Sequence, residues 1–376
     1  MTETNATRLE RKLLDQIRAH GPIPFADYMR SCLYDPEFGY YGRPVSLPFP
    51  DFYTSVDVHP IFGRLLARQL AEMWELLGRP TEFTVVEAGA GAGRLAAHIL
   101  DFTARELSPF YDAVRYIAVE QSLARRAAHQ ELIAAHLARG RAISASELPP
   151  EISVGCILSN ELLDALPVHR VVMMPKGLRE VYVAEESDAL TERLGPLSDP
   201  GIAAYFQEQG ITIRENQQAE AGLEVCRWVM DAGSRLGRGF ILTIDYGRDA
   251  AELYDERHMS GTMMAYSQHR ATEDFLHAPG EQDLTAHVNF TALDLWGRRS
   301  GLTRTGCVSQ MQFLVAMGQR NEFADIYDPG ANEVERVRAR LMLKTLIHPE
   351  GMGETFQVFV QHKGIESPRL TGLAGL

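Results

Sequence analysis

The sequence predicts an α/β protein built on an open, mostly parallel sheet with helices on both faces. Three observations support this. From Phe83 onward, short β-branched runs alternate with segments of helical periodicity. The stretch "VVEAGAGAGRLAAHIL", Val85 to Leu100, joins one such run to the next helix through three glycines at alternate positions. Near its end the chain returns to an extended pattern, "ETFQVFVQHKG", after a helical stretch. Such a closing strand suits an antiparallel edge on an otherwise parallel sheet.

Taken in order, residues 1–80 are helical and irregular by turns. Leu9, Leu13, Leu14 and Ile17 fall at helical spacing in an exposed amphipathic segment that ends near Gly21 and Pro22. "FADYMRSCLYD" continues the pattern to Pro36, and "PEFGYYGRPVSLPFPDFYTS", rich in Gly, Pro and aromatics, reads as a long ordered loop. "HPIFGRLLARQLAEMWELLG" is a helix with Pro60 near its start and Gly78 at its end. "FTVVEA" is a strand and 94–107 a helix; "VRYIAVE" is a strand and 122–139 a helix. "VGCILSNELLDAL" starts as a buried strand and leaves it at Asn160. "VVMMPKGLREVYVAEE" reads as a hairpin added between core elements, and a helix over about 218–236 leads into the strand "GFILTIDYG". "NFTALDLWGRRSGL", "QMQFLVAMG" and 332–347 are helical. The expected organisation is an N-terminal segment, 1–80, over the ligand site, and an α/β domain, 81–376, with insertions at about 168–217 and 250–350.

Composition narrows the function. The chain is 45% apolar and 23% charged, ordinary for a soluble globular protein. A net charge of −13 argues against a sequence-independent nucleic-acid binder, which needs a basic face, but is compatible with a basic peptide partner. Cys32, Cys156, Cys226 and Cys307 are far apart, so neither a zinc site nor a disulfide framework is indicated. Reduced thiols and an N-terminus without an apolar core point to a cytoplasmic location. No apolar run is long enough for a membrane span.

The glycine turn carries the chemistry. An open α/β sheet binds ligands at the carboxyl ends of its strands, where glycines let the backbone approach and the helix N-terminus offers free N–H groups. A dinucleotide turn has the spacing G-x-G-x-x-G with an acid about 20 residues on. Here Gly89, Ala90, Gly91 and Gly93 form G-x-G-x-G, and Arg94 stands where the dinucleotide pattern wants glycine. Glu87, two residues before the first glycine, would repel a pyrophosphate and attract the ammonium of a methionine moiety. Glu120 ends the next strand, placed for two ribose hydroxyls, and Gln121 follows it. The two acids and the tighter spacing favour S-adenosylmethionine and disfavour a nicotinamide dehydrogenase.

Seven stretches then come in a recognisable order: "GPIPFADYMRSCLYDPEFGYYG", "DFYTSVDVHPIFGRLLARQL", "VVEAGAGAGRL", "SNELLDALPVHR", "LTIDYG", "DLTAHVNFTAL" and "MGETFQVFV". Together they resemble the MidA-type methyltransferases, the family of the mitochondrial complex I assembly factor, from about residue 10 to 362. The resemblance implies a class I S-adenosylmethionine-dependent methyltransferase with a Rossmann-like seven-stranded sheet whose last strand is antiparallel. It also implies an N-terminal segment and insertions forming a second lobe over the cofactor, and the mitochondrial member dimethylates an arginine of a respiratory-complex subunit. Gln121 stands where the family usually has Pro, and Val56-Asp57 where Pro-Glu is common.

An arginine acceptor adds a requirement, because guanidinium has a pKa above about 12 and no outward lone pair. Carboxylates must fix its plane and draw off its charge. Glu161 and Asp164, just past a strand end, are the candidates, and helical spacing of three would put them on one face. Asn160 is expected at the methionine end of the cofactor or at the attacking nitrogen, Thr54 or Ser55 at the cofactor carboxylate, His287 as a base or substrate contact, and Tyr246 against the sulfonium or the guanidinium. A protein acceptor would use an open acidic groove. A small-molecule methyltransferase would show an enclosed apolar pocket, with "GTMMAY" and "QMQFLVAMG" as lining. A third reading is an assembly factor that binds cofactor without catalysis. No metal is called for, and a homodimer is compatible with the sequence.

Overall fold

The computed structural model describes residues 5–42, 55–267 and 270–374. The alternation beginning at Phe83 builds the main sheet. Its strands are β1 (Phe83–Ala88), β2 (Val114–Val119), β3 (Ala142–Ala145), β4 (Ile152–Asn160), β5 (Leu236–Arg248), β6 (Thr303–Ser309) and β7 (Phe356–Lys363). They lie side by side in the order β3-β2-β1-β4-β5-β7-β6. The first five pair in parallel, and β7 runs antiparallel between β5 and β6. Strand order reverses between β1 and β4, so the ligand-binding edge of such a sheet lies beyond the ends of β1, β2 and β4.

Contacts divide the chain into two compact units. The sheet unit comprises Tyr53–Leu162, Met230–Tyr246 and Gly297–Leu376. Val85, Cys156, Leu158, Phe240, Leu242, Val358 and Val360 are fully buried in its core. Near-continuous apolar runs of this kind are what strands covered on both faces require. The helices Ile61–Leu76 and Arg94–Glu106 approach closely at Gly63, where a Cβ would come within 2.5 Å of the His98 Cβ.

The other unit comprises Met1–Phe52, Leu163–Val229 and Gly247–Trp296. The expected hairpin forms from His169–Met174 and Gly177–Glu186. It grows into a five-stranded antiparallel sheet with Ile23–Pro24, Ala189–Gly195 and Gln218–Ala221. A three-stranded sheet of Met264–Ser267, Arg270–Thr272 and Asp283–Thr285 adds to it. The amphipathic N-terminal helix, Asn5–His20, buries Leu9, Leu13, Leu14 and Ile17. Arg170 is 6% exposed, its guanidinium 4.6 Å from the Phe25 ring and 4.8 Å from that of Phe275.

Two readings of local sequence change, and a further strand is new. Gln218–Ala221 is a strand, and the helix begins only at Leu223, after Gly222; pairing with His169–Met174 overrides the helical propensity of "QAEA". The helix expected over 122–139 is three short pieces, Leu123–Ala127, His129–Leu132 and Ala134–Ala138. That stretch buries mainly Arg125, His129, Ile133 and His136, too little apolar surface to hold one long helix. The strand Thr303–Ser309 is not legible in the sequence, because "TRTGCVS" is half-exposed and takes its form from the ladder with β7.

At the centre of the sheet the backbones of β4 and β5 approach very closely. Gly239 has φ +144°, and a Cβ there would lie 1.8 Å from the Gly155 carbonyl oxygen. Gly239→Ala should therefore cost at least about 2 kcal/mol by pushing paired strands apart, read as a lower midpoint in urea unfolding.

Candidate functional site

The glycine turn hangs from the neighbouring strand. The N–H groups of Gly89 and Ala90 both donate to the Val119 carbonyl, each at 2.9 Å. Gly89, Gly91 and Gly93 all have positive φ, at 74°, 54° and 89°. Their surroundings differ. A Cβ on Gly89 would meet Leu162 at 2.9 Å and one on Gly93 would meet His129 at 2.9 Å, so those two positions serve close packing. A Cβ on Gly91 would meet nothing within 4 Å. Gly91 is the glycine that opens onto free space, at the N-terminal end of the helix Arg94–Glu106.

Around this turn stand several of the expected residues. Glu120 is half-buried; one carboxylate oxygen accepts from the Gly91 N–H at 3.0 Å and the other from the Ser122 N–H at 2.8 Å. A carboxylate has about four acceptor positions, so two remain for a ligand. Gln121 is exposed, and its carbonyl accepts from Arg126 at 3.0 Å. Glu87 is only 4% exposed and accepts from the Tyr116 hydroxyl at 2.8 Å and from the Ala96 N–H. Burial, with Glu120 adding repulsion, pushes the Glu87 carboxyl up to about 8, while those hydrogen bonds work against the shift.

At the end of β4, Asn160 donates its amide to Glu161 at 3.1 Å. Its Oδ1 is buried with no hydrogen-bond partner among the described residues. Glu161 holds φ +51°, a left-handed conformation that a non-glycine residue adopts only under constraint. Its carboxylate also accepts from the Ser55 N–H at 3.3 Å. Ser55 is buried at the start of the short helix Ser55–Val58, its hydroxyl donating to Gln310 at 2.9 Å. Asp57 of the same helix pairs with Arg94. Thr54 lies outside the described residues. Tyr246, near the end of β5, sets its ring edge-on to Phe356, 5.2 Å between centroids.

Asp164 and His287 belong to the other unit, as the chain passes between units after Leu162. The expected shared helical face of Glu161 and Asp164 does not form, because residues 161–167 are not helical and Pro167 closes the segment. Asp164 is 5% exposed, and its backbone carbonyl accepts from the Ala286 N–H at 2.9 Å. His287 donates its backbone N–H to the Thr262 hydroxyl. Burial, with His258 and Arg248 nearby, pushes its imidazole down to about 4, so the ring is neutral and a weak base at pH 7. It lines a small cleft with Tyr205, Glu220, Tyr254 and Asn289 that has room for about one water (about 10 Å³).

The residues at the strand ends suit S-adenosylmethionine. Free space over Gly91, spare acceptor positions on Glu120 and the orphaned Oδ1 of Asn160 offer van der Waals room, hydroxyl acceptors and one more acceptor. Among the described residues no group of three metal-ligating side chains occurs, and no helix is long and apolar enough to cross a membrane. Tyr116, His129 and Ser144 escape the sequence reading, and Gln310 enters it only within the lining stretch of the small-molecule alternative. Nothing in their local sequence marks them, since each acts on a partner in another element.

Comparison with known proteins supports the same cofactor. A family described as S-adenosyl-L-methionine-dependent methyltransferases matches residues 65–308. The protein arginine methyltransferase NDUFAF7, mitochondrial, of Rattus norvegicus is 29% identical, covering 94% of this chain and 84% of its own. The same protein of Homo sapiens is 28% identical over 98% and 86%. A solved structure of a superfamily member from Burkholderia thailandensis, bound to S-adenosyl-homocysteine, is 30% identical over 98% of this chain and 95% of its own, with a TM-score of 0.88. The cytoplasmic location expected from the cysteines and the N-terminus does not stand, because these curated relatives are named as mitochondrial proteins.

The buried Glu87 gives a pH test. A carboxyl whose folded pKa is raised to about 8 favours folding while protonated, so its contribution is complete below the unfolded value and is lost as pH rises towards 8. Glu87→Gln removes that loss. Thermal unfolding of both proteins from pH 5 to pH 8 should show the variant gaining Tm relative to wild type as pH rises.

Proposed function

The chain belongs to the S-adenosyl-L-methionine-dependent methyltransferase family whose model it matches, and from that premise we propose that it methylates an arginine side chain of a protein. Its cofactor, S-adenosyl-L-methionine, supplies when bound an electrophilic methyl on a sulfonium together with the leaving group. The chain's own work is then to position two reactants and to manage charge.

In this reading Gly89, Ala90, Gly91 and Gly93 form the floor under the cofactor, with Gly91 the point of closest approach. Glu120 and Gln121 take the ribose side, and Glu87, Asn160 and Ser55 the methionine side. Glu161 and Tyr246 are assigned to the acceptor. Methylation of a guanidinium nitrogen releases one proton, and carboxylates both hold the guanidinium plane and offset its charge until that proton leaves. His287, neutral and weakly basic, suits a substrate contact better than a base at pH 7.

The observation that carries the arginine reading is Glu161. A glutamate held at φ +51° aims its carboxylate from the end of β4, next to the turn, at a conformational cost of order 1 kcal/mol. The arginine methyltransferase relatives and the −13 net charge, which favours a basic acceptor, support the same choice.

The test is incubation of the purified chain with methyl-labelled S-adenosylmethionine and a cell protein extract, followed by acid hydrolysis and a search for methylarginine. Calorimetry with S-adenosylhomocysteine, and NAD as control, runs beside it. Methylarginine with micromolar binding of the first ligand alone is the expected result. Label confined to small molecules would replace the protein acceptor, and binding without any transfer would leave a non-catalytic assembly role.

Two variants separate cofactor from acceptor. Gly91→Ala should cost only about 1 kcal/mol of stability, because its Cβ meets no protein atom, yet weaken S-adenosylhomocysteine at least about tenfold by occupying the ligand's space. Glu161→Gln should keep cofactor affinity and lower the initial rate of methyl transfer by about 100-fold.

A further inference from the structure

We propose that His129 is a positioning residue for the cofactor turn, holding the Gly91 peptide in the conformation that receives the ligand. This rests on the reading that S-adenosylmethionine lies over Gly91. His129 is fully buried. Its Nε2 is 2.9 Å from the Gly91 carbonyl oxygen and its Nδ1 is 2.8 Å from the Ser144 hydroxyl. A carbonyl can only accept, so Nε2 carries the hydrogen. Burial lowers the imidazole pKa, the ring is neutral, and Nδ1 therefore accepts from the Ser144 hydroxyl. The tautomer follows from the partners.

The consequence is geometric. The Gly91 N–H belongs to the peptide before its Cα and the Gly91 carbonyl to the peptide after it. Glu120 holds the first and His129 the second. Two peptide planes fixed on either side of one Cα fix its φ and ψ, here with φ at +54°. An unrestrained glycine populates both signs of φ and loses more conformational freedom than any other residue when ordered. Both holds are anchored to the same strand end: Ser144 engages His129, and the Ala145 carbonyl accepts from the Glu120 N–H at 3.0 Å. The turn is thus clamped from β3 through two side chains before any ligand arrives. The Cδ2 edge of His129 also supports Gly93, the helix-capping glycine. None of this involves contact between His129 and the cofactor, so its effect runs through the backbone of the turn.

Glutamine and asparagine distinguish the roles of the two ring nitrogens. In His129→Gln the introduced amide nitrogen reaches the position of Nε2, whereas in His129→Asn it reaches only the position of Nδ1. Calorimetric titration with S-adenosylhomocysteine should find His129→Gln within about threefold of wild type and His129→Asn weaker by at least about tenfold, the worth of one hydrogen bond. His136→Asn is the matched control: His136 is also buried in the same stretch, bonded to Tyr111 and Asp101 instead of the turn, and its replacement should leave affinity unchanged. Equal affinity of the Gln and Asn variants, or an equal loss in the His136 control, would overturn the proposal. Failure of wild type itself to bind would instead overturn the placement of the cofactor on the turn.

Discussion

Everything at the site depends on one shared acceptor, the carbonyl of Val119, which receives the N–H groups of both Gly89 and Ala90. That pair of hydrogen bonds ties the end of β1 to the end of β2 and lets the chain reverse into a helix with three residues at positive φ. It works because the strands are parallel and in register. Ala88 lies opposite Val119 on one side and Ser159 on the other, so the residues that follow, Gly89, Glu120 and Asn160, emerge at one level. A parallel ladder fixes this alignment by its backbone alone, whatever side chains stand at the ends.

Charge at the site is then governed by burial. Glu87 and Glu120 lie near enough for their carboxyls to repel, and that repulsion adds to the burial that raises the Glu87 pKa. Glu87 is enclosed, and burial raises its pKa against the hydrogen bonds from Tyr116 and the helix amide of Ala96, while Glu120 is half-exposed and faces two backbone N–H groups. The helix N-terminus next to Glu87 contributes partial positive charge, which, like those hydrogen bonds, favours the carboxylate. His129 is likewise kept neutral by burial, so its hold on the turn is a hydrogen bond between uncharged groups, insensitive to salt.

The second unit follows a different logic. Its sheets are antiparallel, and several buried carboxylates are held by hydrogen bonds: Glu180 takes His169 and Ser198, and Glu220 takes the backbone and hydroxyl of Thr262. Asn289 joins Tyr205, Tyr254 and Gln209 in one network. Such networks specify one arrangement of the chain, because any member left unpaired in a buried setting costs more than the bond contributes.

The sequence by itself determined the alternating core, the glycine turn, the acids at two strand ends and the cofactor, because these follow from local periodicity and from spacing within single strand–turn–helix units. It also placed the antiparallel closing strand at Phe356–Lys363 and the hairpin at His169–Met174 and Gly177–Glu186. What only the tertiary structure decided are features whose partners are distant in the chain. "QAEA" becomes a strand because another strand pairs with it, and "TRTGCVS" an edge because β7 lies beside it. Glu161 and Asp164 are three residues apart yet lie in different units, since the chain turns at Glu161 with positive φ and never starts the helix that their spacing suggests. His129 shows the limit most plainly: a histidine in a polar helical run carries no mark of the carbonyl 38 residues away that it holds. Periodicity reports which face of an element is buried, and only the folded chain decides what that face meets.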